Sequence, residues 1–303
     1  MVPNPFHILS LKSTYIQDRF WRFLFSILAF SALALLVCMV WFLLVESLPF
    51  LVAVWADAQW LNVFTLEGWY PEEGFYSLAP IVLGSVLVTL GSLLLALPVG
   101  LGCAIFIHFY VAPSLRRLFL LLLSVLGSIP SVVFGLWGLT RVVPQITAFQ
   151  PPGTSLLAAI LVLAFMIVPT LALTAASALE GVQKNLMIGA LALGLKRSSR
   201  IVHIALPAAK AGIFGGVLLA LGRALGETMA ILMVAGNVVQ LPSSVFDPVR
   251  TLTTNIALEM SYAMDAHRSS LFFSGLLLTA LVAVIAVTLH RSVGYSSLGR
   301  PHG

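Results

Sequence analysis

The chain has 303 residues, of which 60% are hydrophobic and only 9% are charged, and its formal net charge is +5. So few charged residues cannot cover the surface of a soluble protein of this length, and the composition therefore excludes a soluble globular domain. We predict an all-α polytopic membrane protein with six transmembrane helices.

Five long segments contain no Asp, Glu, Lys or Arg, and a sixth carries a single charged pair; each is long enough to cross a hydrocarbon core of ~30 Å. In chain order the six are 23–45, 77–115, 118–140, 155–179, 211–236 and 271–289. The second is longer than one straight crossing needs, which makes Pro98 its predicted kink. Pro130 lies within the third, between Ser128 and Ser131, and predicts a kink whose freed carbonyl a serine satisfies.

Charged residues are divided between the two sides of the predicted membrane. Clusters of basic residues fall on one side, at Lys12, Arg19, Arg22, Arg116, Arg117, Lys184, Lys196, Arg197, Arg200, Lys210, Arg291 and Arg300. The other side holds most of the acidic residues, in the external segments 45–76 and 240–270. Because cytoplasmic loops carry the excess of lysine and arginine, we predict that both termini are cytoplasmic. This topology explains the net charge without a nucleic-acid partner.

The sequence lacks the common signatures of catalytic and metal sites. No lysine follows a glycine, so there is no phosphate-binding Walker loop, and no H-E-x-x-H motif is present. The histidines do not pair at metal-ligand spacing, and Cys38 and Cys103 fall within predicted crossings. We therefore predict that the chain is not an enzyme and holds no metal or cofactor of its own.

Arg223 and Glu227 are four residues apart inside the fifth predicted crossing. Each charge costs about 2.5 to 3.5 kcal/mol at the centre of an inserted helix, so stability alone does not explain the pair. Two interpretations stay open: a polar pathway through the membrane, or an ion pair that neutralises itself at i,i+4 spacing. Two G-x-x-x-G pairs in the same crossing, Gly212 with Gly216 and Gly222 with Gly226, predict close helix packing.

The segment 178–207 joins the fourth and fifth crossings. Apolar residues recur on one helical face at Leu179, Val182, Leu186, Gly189, Ala190 and Leu193, which predicts an amphipathic helix over 178–193. Gly194 is its predicted C-terminal cap, Ser198 or Ser199 caps a short second helix to Leu206, and Pro207 begins the next helix. Such a helix either lies in the headgroup layer or docks a soluble partner.

Several strings in the chain resemble a known family. Gly194, nine further residues and then Ile204, Ala205, Leu206 and Pro207 resemble the cytoplasmic coupling loop of ATP-binding-cassette importer permeases. Other strings resemble the PstC type of phosphate-importer permease: LAPIVLGSVLVTL, ALPVGLGCAIFI, IPSVVFGLWGL, LGRALGETMAILMVAGN and TLTTNIALE. The resemblance extends from about Leu78 to the sixth crossing and implies a type I importer permease in a bacterial inner membrane.

The resemblance also implies partners and domains. These are a second, PstA-like permease, two ATPase subunits that bind ATP and Mg²⁺, and an external phosphate-binding protein. The permease core is expected over 79–290, with the coupling loop 178–207 inside it. The residues 1–78 would form an N-terminal segment, the first crossing and an external loop, and 291–303 a cytoplasmic tail.

The coupling loop departs from the family pattern at one position. The family's glutamate falls at Ile188, followed by Gly189 and Ala190, whereas Gly194, Leu206 and Pro207 match the pattern. Glu180, two turns upstream on a similar helical face, is the candidate to supply the missing charge toward the ATPase.

The resemblance gives the intramembrane pair a function. Arg223 is expected to bind phosphate during permeation, with Glu227 moderating its field so that the anion is released, and Thr228 and Asn237 adding donors. Two alternatives remain: a permease for another oxyanion, such as molybdate, tungstate or sulfate, and a gradient-driven transporter.

Overall fold

The structure is a computed structural model that describes the backbone of residues 5–56, 63 and 68–297, and the side chains of 19–56, 63, 68–288 and 291. The helices in this part of the chain are α1 (Pro5–Ala56), α2 (Ala79–Ile105), α3 (Pro113–Ser128), α4 (Ser131–Trp137), α5 (Val143–Phe149), α6 (Leu156–Glu180), α7 (Lys184–Ala192), α8 (Arg197–Arg200), α9 (Leu206–Leu225), α10 (Met229–Val234), α11 (Leu252–Glu259) and α12 (Asp265–Ser297). Strands β1 (Trp69–Tyr70) and β2 (Phe75–Tyr76) form one antiparallel hairpin.

Six helical stretches in the described chain are long and apolar enough to cross a membrane, which confirms the predicted number. They are Arg19–Ala56, Ala79–Tyr110, Ser131–Phe149, Leu156–Glu180, Arg197–Leu225 and Asp265–Thr288. The bounds differ from the prediction at several ends. We call the end of the bundle that carries the β1–β2 hairpin the hairpin end, and the end that carries residues 181–196 the loop end.

The first crossing is longer than predicted. Residues 46–56 were expected in an external loop, but α1 continues to Ala56. The reason is packing: Phe50 is fully buried and its ring lies 5.3 Å from Tyr76 and 5.5 Å from Phe273. The predicted external residues 57–62 and 64–67, which include Trp60 and Glu67, lie outside the described residues.

The third crossing is broken rather than kinked, so the prediction of a kinked helix over 118–140 is wrong. α3 ends at Ser128, Ile129 is extended with φ −61° and ψ 130°, and α4 begins after Pro130. Proline disfavours helical backbone in the residue before it and donates no amide hydrogen, which explains the break. The two halves still form one crossing, because both pack along α6: Gly138 lies against Val162, and Gly127 lies against Pro169.

Three π turns precede prolines. They cover Phe106–Tyr110, Gly138–Val142 and Ile201–Ala205, and the prolines that follow are Pro113, Pro144 and Pro207. At Pro144 and Pro207 the wider turn accommodates the missing amide hydrogen and the ring of the proline, whereas Pro113 begins α3 after the extended residue Ala112. As a consequence Arg197–Leu225 is one helical stretch, in which Leu206 N donates to Ile201 O. The predicted separate helix ending at Leu206 is therefore wrong, although Pro207 does lie in the first turn of α9.

The central helix of the fold is α6, which packs between α2 and α9. Ser155 caps its N-terminus by accepting from Ala158 N at 3.3 Å. Its alanine-rich faces are buried, and glycines of the neighbouring helices approach it closely. Gly212 and Gly216 lie against Ala178 and Thr174, which confirms the first predicted G-x-x-x-G contact.

The segment after α10 covers the start of α6 at the hairpin end. Leu156 N donates to Asp247 O at 2.9 Å and Leu157 N to Val245 O at 2.8 Å, so this segment satisfies amide groups that the helix itself leaves unpaired. Asp247 is held by the amide groups of Ser243 and Ser244 and by the Ser243 hydroxyl. These hydrogen bonds, that of the Ser243 hydroxyl first, lower the pKa of the Asp247 carboxyl.

We expect Gly216→Ala and Gly215→Ala to change stability in opposite directions. A Cβ at residue 216 meets the Thr174 side chain, whereas nothing lies within 4 Å of a Cβ at residue 215. Overpacking should therefore lower the free energy of unfolding by about 1–3 kcal/mol in the first variant. The second should gain about 0.5–1 kcal/mol from helix propensity. Denaturant unfolding of the purified chain in detergent measures both, and equal shifts would contradict the proposed packing.

Candidate functional site

Arg223 lies in the last turn of α9, where three crossings meet. Its Nη1 donates to Thr170 Oγ1 of α6 at 3.3 Å, and its Nη2 donates to the carbonyl oxygen of Gly127 in α3 at 3.4 Å. In an unbroken helix the Gly127 carbonyl would accept from the amide of Ser131. The break at Pro130 leaves this carbonyl available, and Arg223 occupies it.

The guanidinium has spare hydrogen-bonding capacity. Arginine carries five N–H donors, and the hydrogen bonds of Arg223 to Thr170 and Gly127 are both long and both to uncharged oxygens. None of the acidic side chains in the described part of the chain forms an ion pair with Arg223. The side chain is only partly buried. The arrangement therefore holds a positive charge within a membrane-length helix and leaves donors for an anion.

Glu227 does not pair with Arg223, so the prediction of an i,i+4 ion pair on one helix is wrong. α9 ends at Leu225, and Gly226 begins a short non-helical stretch before α10. Glu227 Oε1 accepts from Ala230 N at 3.2 Å, at the start of α10, and the Glu227 carbonyl accepts from Thr253 Oγ1 at 2.8 Å. The carboxylate thus stabilises the helix restart instead of neutralising the arginine.

The other two predicted path residues occupy different places. Thr228 belongs to the same helix break as Glu227, and its hydroxyl donates to Gly226 O at 3.4 Å. Asn237 lies beyond α10 at the hairpin end, with φ +55°, and its Nδ2 donates to Leu232 O at 2.7 Å. Its Oδ1 is buried without a hydrogen-bond partner. The structure therefore groups Arg223, Glu227 and Thr228 on one interrupted stretch and sets Asn237 apart.

One side of this stretch is open. Gly222 and Gly226 are exposed, and no atom lies within 4 Å of a Cβ built on Gly222. Leu219 and Met229 on the same side are 59% and 50% exposed. The second predicted G-x-x-x-G pair therefore makes no packing contact inside the described chain.

A buried ionic network at the hairpin end was missed from the sequence. Glu259 is 6% exposed and receives Arg250 Nη1 at 2.6 Å, His267 Nε2 at 2.8 Å and Trp69 Nε1 at 2.6 Å. Arg250 also donates to the Asn237 carbonyl at 2.9 Å and to Asn255 Oδ1 at 3.0 Å. In the sequence these side chains are only scattered external charges. The available signal for this buried pair was a single glutamate, Glu259, within the apolar string NIALEM and nine residues after Arg250.

The predicted amphipathic helix at the loop end is shorter, and a partly different set of its residues packs inward. Gly181–Gln183 form a turn after α6, so the helix is α7 and not 178–193. Met187 and Ala190 pack inward, while Leu186, Ile188, Leu191 and Leu193 are exposed. Gly189 is exposed as well. The inward face is shifted by one residue because the turn restarts the helical register at Lys184.

The predicted cap at Gly194 is confirmed. Gly194 has φ +74°, Gly194 N donates to Leu191 O at 3.0 Å and Leu195 N donates to Ala190 O at 3.1 Å. Only glycine adopts this left-handed conformation without steric cost. Glu180, the last residue of α6, is 67% exposed and pairs with Arg116 at 3.4 Å.

Comparisons with known proteins identify the family and the fold. The family described as "Binding-protein-dependent transport system inner membrane component" matches residues 96–295. The probable ABC transporter permease protein YqgH of Bacillus subtilis is 37% identical over 228 residues, which cover 73% of this chain and 74% of the relative. The phosphate transport system permease protein PstC of Mesorhizobium japonicum is 35% identical over 247 residues, which cover 74% and 75%.

Solved structures share the fold. The inward-facing MetNI methionine ABC transporter aligns with a TM-score of 0.59 at 19% identity, covering 72% of this chain and 95% of that one. A bacterial ABC transporter involved in the import of the acidic polysaccharide alginate aligns with a TM-score of 0.56 at 14% identity, covering 86% and 96%. The fold is that of type I importer permeases, as predicted.

Glu259→Gln is expected to destabilise the chain far more than Glu46→Gln. Breaking a buried pair leaves Arg250 without its counterion and should lower the free energy of unfolding by about 3–5 kcal/mol. Glu46 is 36% exposed and its contact with Arg268 is 3.9 Å long, so its loss should cost less than about 1 kcal/mol. Denaturant unfolding of both variants in detergent provides the measurement. Similar costs would show that the Glu259 network does not stabilise the hairpin end.

Proposed function

Because the chain belongs to the family of binding-protein-dependent transport system inner membrane components, we propose that it forms the translocation path for inorganic phosphate in an ATP-driven importer. The chain is a multi-pass membrane protein, and its family is a transport component and not an enzyme family. The observation that carries the proposal is Arg223, which holds donors free for an anion at a broken helix inside the membrane.

The chemistry of phosphate suits this site. A phosphate oxyanion needs positive charge and hydrogen-bond donors to cross hydrocarbon, and the guanidinium fork matches two of its oxygens. The contacts of Arg223 to Thr170 and Gly127 are long, so an anion can replace them at low cost. Glu227 follows the helix break and adds negative potential nearby, which weakens binding enough for release. Thr228 and Asn237 are further donors along the path.

A second permease subunit completes the path in this proposal. The open side next to Arg223 carries Gly222 and Gly226, and small residues allow a neighbouring helix to approach closely. The anion would then pass between the two permeases. An external phosphate-binding protein delivers it at the hairpin end, which places the loop end in the cytoplasm of a bacterium and the chain in its inner membrane.

ATP and Mg²⁺ bind to two separate ATPase subunits, because this chain has no phosphate-binding loop. Their contact surface is the exposed apolar side of α7 with Gly189 and the capping Gly194, whereas Ala190, predicted to belong to this surface, is buried and supports it from the inside. Ile188 is 62% exposed, so the position of the family's glutamate is accessible to the ATPase. Leu206 and Pro207 lie on the continuous stretch that leads from this surface to Arg223.

The guanidinium chemistry is shared by other oxyanions, so the substrate is tested by competition. Labelled phosphate uptake is measured in vesicles that carry the assembled complex, with and without ATP, and with sulfate, molybdate or tungstate in excess. ATP-dependent uptake that resists the competitors is expected. Uptake without ATP would indicate a gradient-driven transporter, and suppression by a competitor would make that oxyanion the substrate.

In the same assay Arg223→Gln should reduce phosphate uptake to background while the complex still co-purifies. The neutral side chain keeps hydrogen-bonding atoms but removes the charge that an anion needs in a low-dielectric site. Arg141→Gln is the matched control, because Arg141 is an exposed arginine in the third crossing. Normal uptake by the Arg223 variant would exclude Arg223 from the path.

Two acidic substitutions on α7 and its cap test the ATPase surface. Leu193→Asp should reduce retention of the ATPase. Leu193 is 82% exposed, and an aspartate in its place would become buried in the interface with a carboxylate that has no partner. Ile188→Glu restores the family's residue and should retain the ATPase at least as well as the native chain. Co-purification at increasing salt measures retention. Equal loss in both variants would show that residue 188 does not occupy the family's position.

A further inference from the structure

Helix α3 has a charged contact at one end and the Arg223 contact at the other. We propose that α3 acts as a connecting rod, through which the Arg116–Glu180 ion pair transmits displacement of the coupling loop to Arg223. The inference rests on the proposed function, because it assigns a route from the ATPase surface to the anion path. In this proposal Arg116 and Glu180 are positioning residues, which act on the anion through α3 and do not touch it.

The packing of α3 suits a moving element. It contains no buried residue, and the side that is partly covered follows Arg116, Leu120, Leu123 and Gly127 at helical spacing. The residues that flank α3 are not helical: Ala112 is extended with ψ 145°, and Ile129 is extended with ψ 130°. A helix with a non-helical residue at each end and one attached stripe can shift as a unit against α6.

At the loop end of the bundle, an ion pair holds α3 in place. Arg116 Nη2 lies 3.4 Å from Glu180 Oε2 and 3.1 Å from His108 Nδ1, so one guanidinium ties α3 to α6 and to the end of the second crossing. Glu180 is separated from α7 only by the turn Gly181–Gln183. A displacement of α7 by the ATPase therefore reaches Glu180 through three residues.

The surroundings of this ion pair leave room for a second arrangement. A cavity of about 460 Å³ lies between α3 and α7, lined by Arg116, Glu180, Lys184, Met187 and Ile188 among others. Arg116 Nε is buried without a hydrogen-bond partner, whereas arginine and carboxylate commonly bond through two parallel N–H groups. Movement of α7 into the cavity would allow Glu180 to engage Nε and pull the first turn of α3 along.

The other end of the rod controls Arg223. Gly127 is eleven residues beyond Arg116, a distance of about 17 Å along the helix axis. Its carbonyl accepts from Arg223 Nη2 at 3.4 Å, so a shift of about 1 Å along the axis would break this bond. Thr170 lies in the packed middle of α6, among the buried residues Pro169 and Leu171 and away from the end that carries Glu180, and would stay in place. The guanidinium would then lose one protein acceptor at the moment when the ATPase acts, and its free donors would turn to the anion.

A purely structural role makes a different prediction. The Arg116–Glu180 pair is partly exposed, with side-chain exposures of 25% and 67%, so as a surface ion pair it contributes little to stability. Its loss should then leave transport unchanged. As part of the connecting rod, its loss should leave ATP hydrolysis intact and uncouple it from transport.

The test uses the complete complex in vesicles and compares the wild type with R116E, E180R and the double variant R116E/E180R. Phosphate transported per ATP hydrolysed is the measurement. Each single variant should lower this ratio by about tenfold, within the usual range of coupling between sites, and the double variant should restore it because the ion pair is re-formed with reversed charges. R117E is the control, since Arg117 is exposed and outside the network.

Each outcome bears on the inference. Single variants with a wild-type ratio, or a double variant no better than either single one, would overturn it while the proposed function stands. If charge reversal prevents assembly, the neutral variants R116Q and E180Q replace R116E and E180R. Each should lower the ratio of phosphate transported to ATP hydrolysed by the same amount. A wild-type complex without ATP-dependent phosphate uptake would overturn the proposed function and this inference with it.

Discussion

Backbone groups that no helix ladder satisfies are the constraint on which this structure depends, because hydrocarbon offers them no water. Pro130 breaks the third crossing and frees the Gly127 carbonyl, which Arg223 then occupies. The break after Leu225 is covered by Glu227 at the amide of Ala230 and by Thr253 at the Glu227 carbonyl. The proposed anion path thus lies where two helices are interrupted and where polar atoms are unavoidable.

The interruptions are tolerated because α6 provides a continuous support beside them. Its small residues and the glycines of its neighbours allow close contact along most of its length, so dispersion and tight packing replace the hydrophobic driving force that lipid cannot supply. Thr170 on α6 holds Arg223 from the intact side, while Gly127 holds it from the broken side. One fixed and one movable acceptor are what a site with changing anion affinity requires.

The two ends of the bundle differ in how deeply their ion pairs are buried. At the hairpin end Glu259 is buried and receives three donors, so separation of its partners would expose an uncompensated charge. At the loop end the Arg116–Glu180 pair is partly solvated and lies next to a cavity. In the proposed importer, the end with the buried network docks the external binding protein and the end with the partly solvated pair contacts the ATPase.

Composition determined the membrane class and the six crossings, because the thickness of the hydrocarbon core sets the length of an apolar helix. Local pattern determined the Gly194 cap and the Gly212–Gly216 contact, because left-handed backbone and small-residue packing depend on only a few residues. Only the tertiary structure decided that α1 continues to pack Phe50 and that Pro130 breaks its crossing. The same holds for the separation of Arg223 from Glu227 and for the network around Glu259. The contacts of Phe50, Arg223 and Glu259 depend on partners that lie far apart in the chain, such as Trp69 with Glu259 and Gly127 with Arg223, and sequence spacing carries no information about such contacts. The break at Pro130 and the bond of Glu227 to Ala230 are local, but a proline or a carboxylate in a helical pattern is compatible with either a kink or a break.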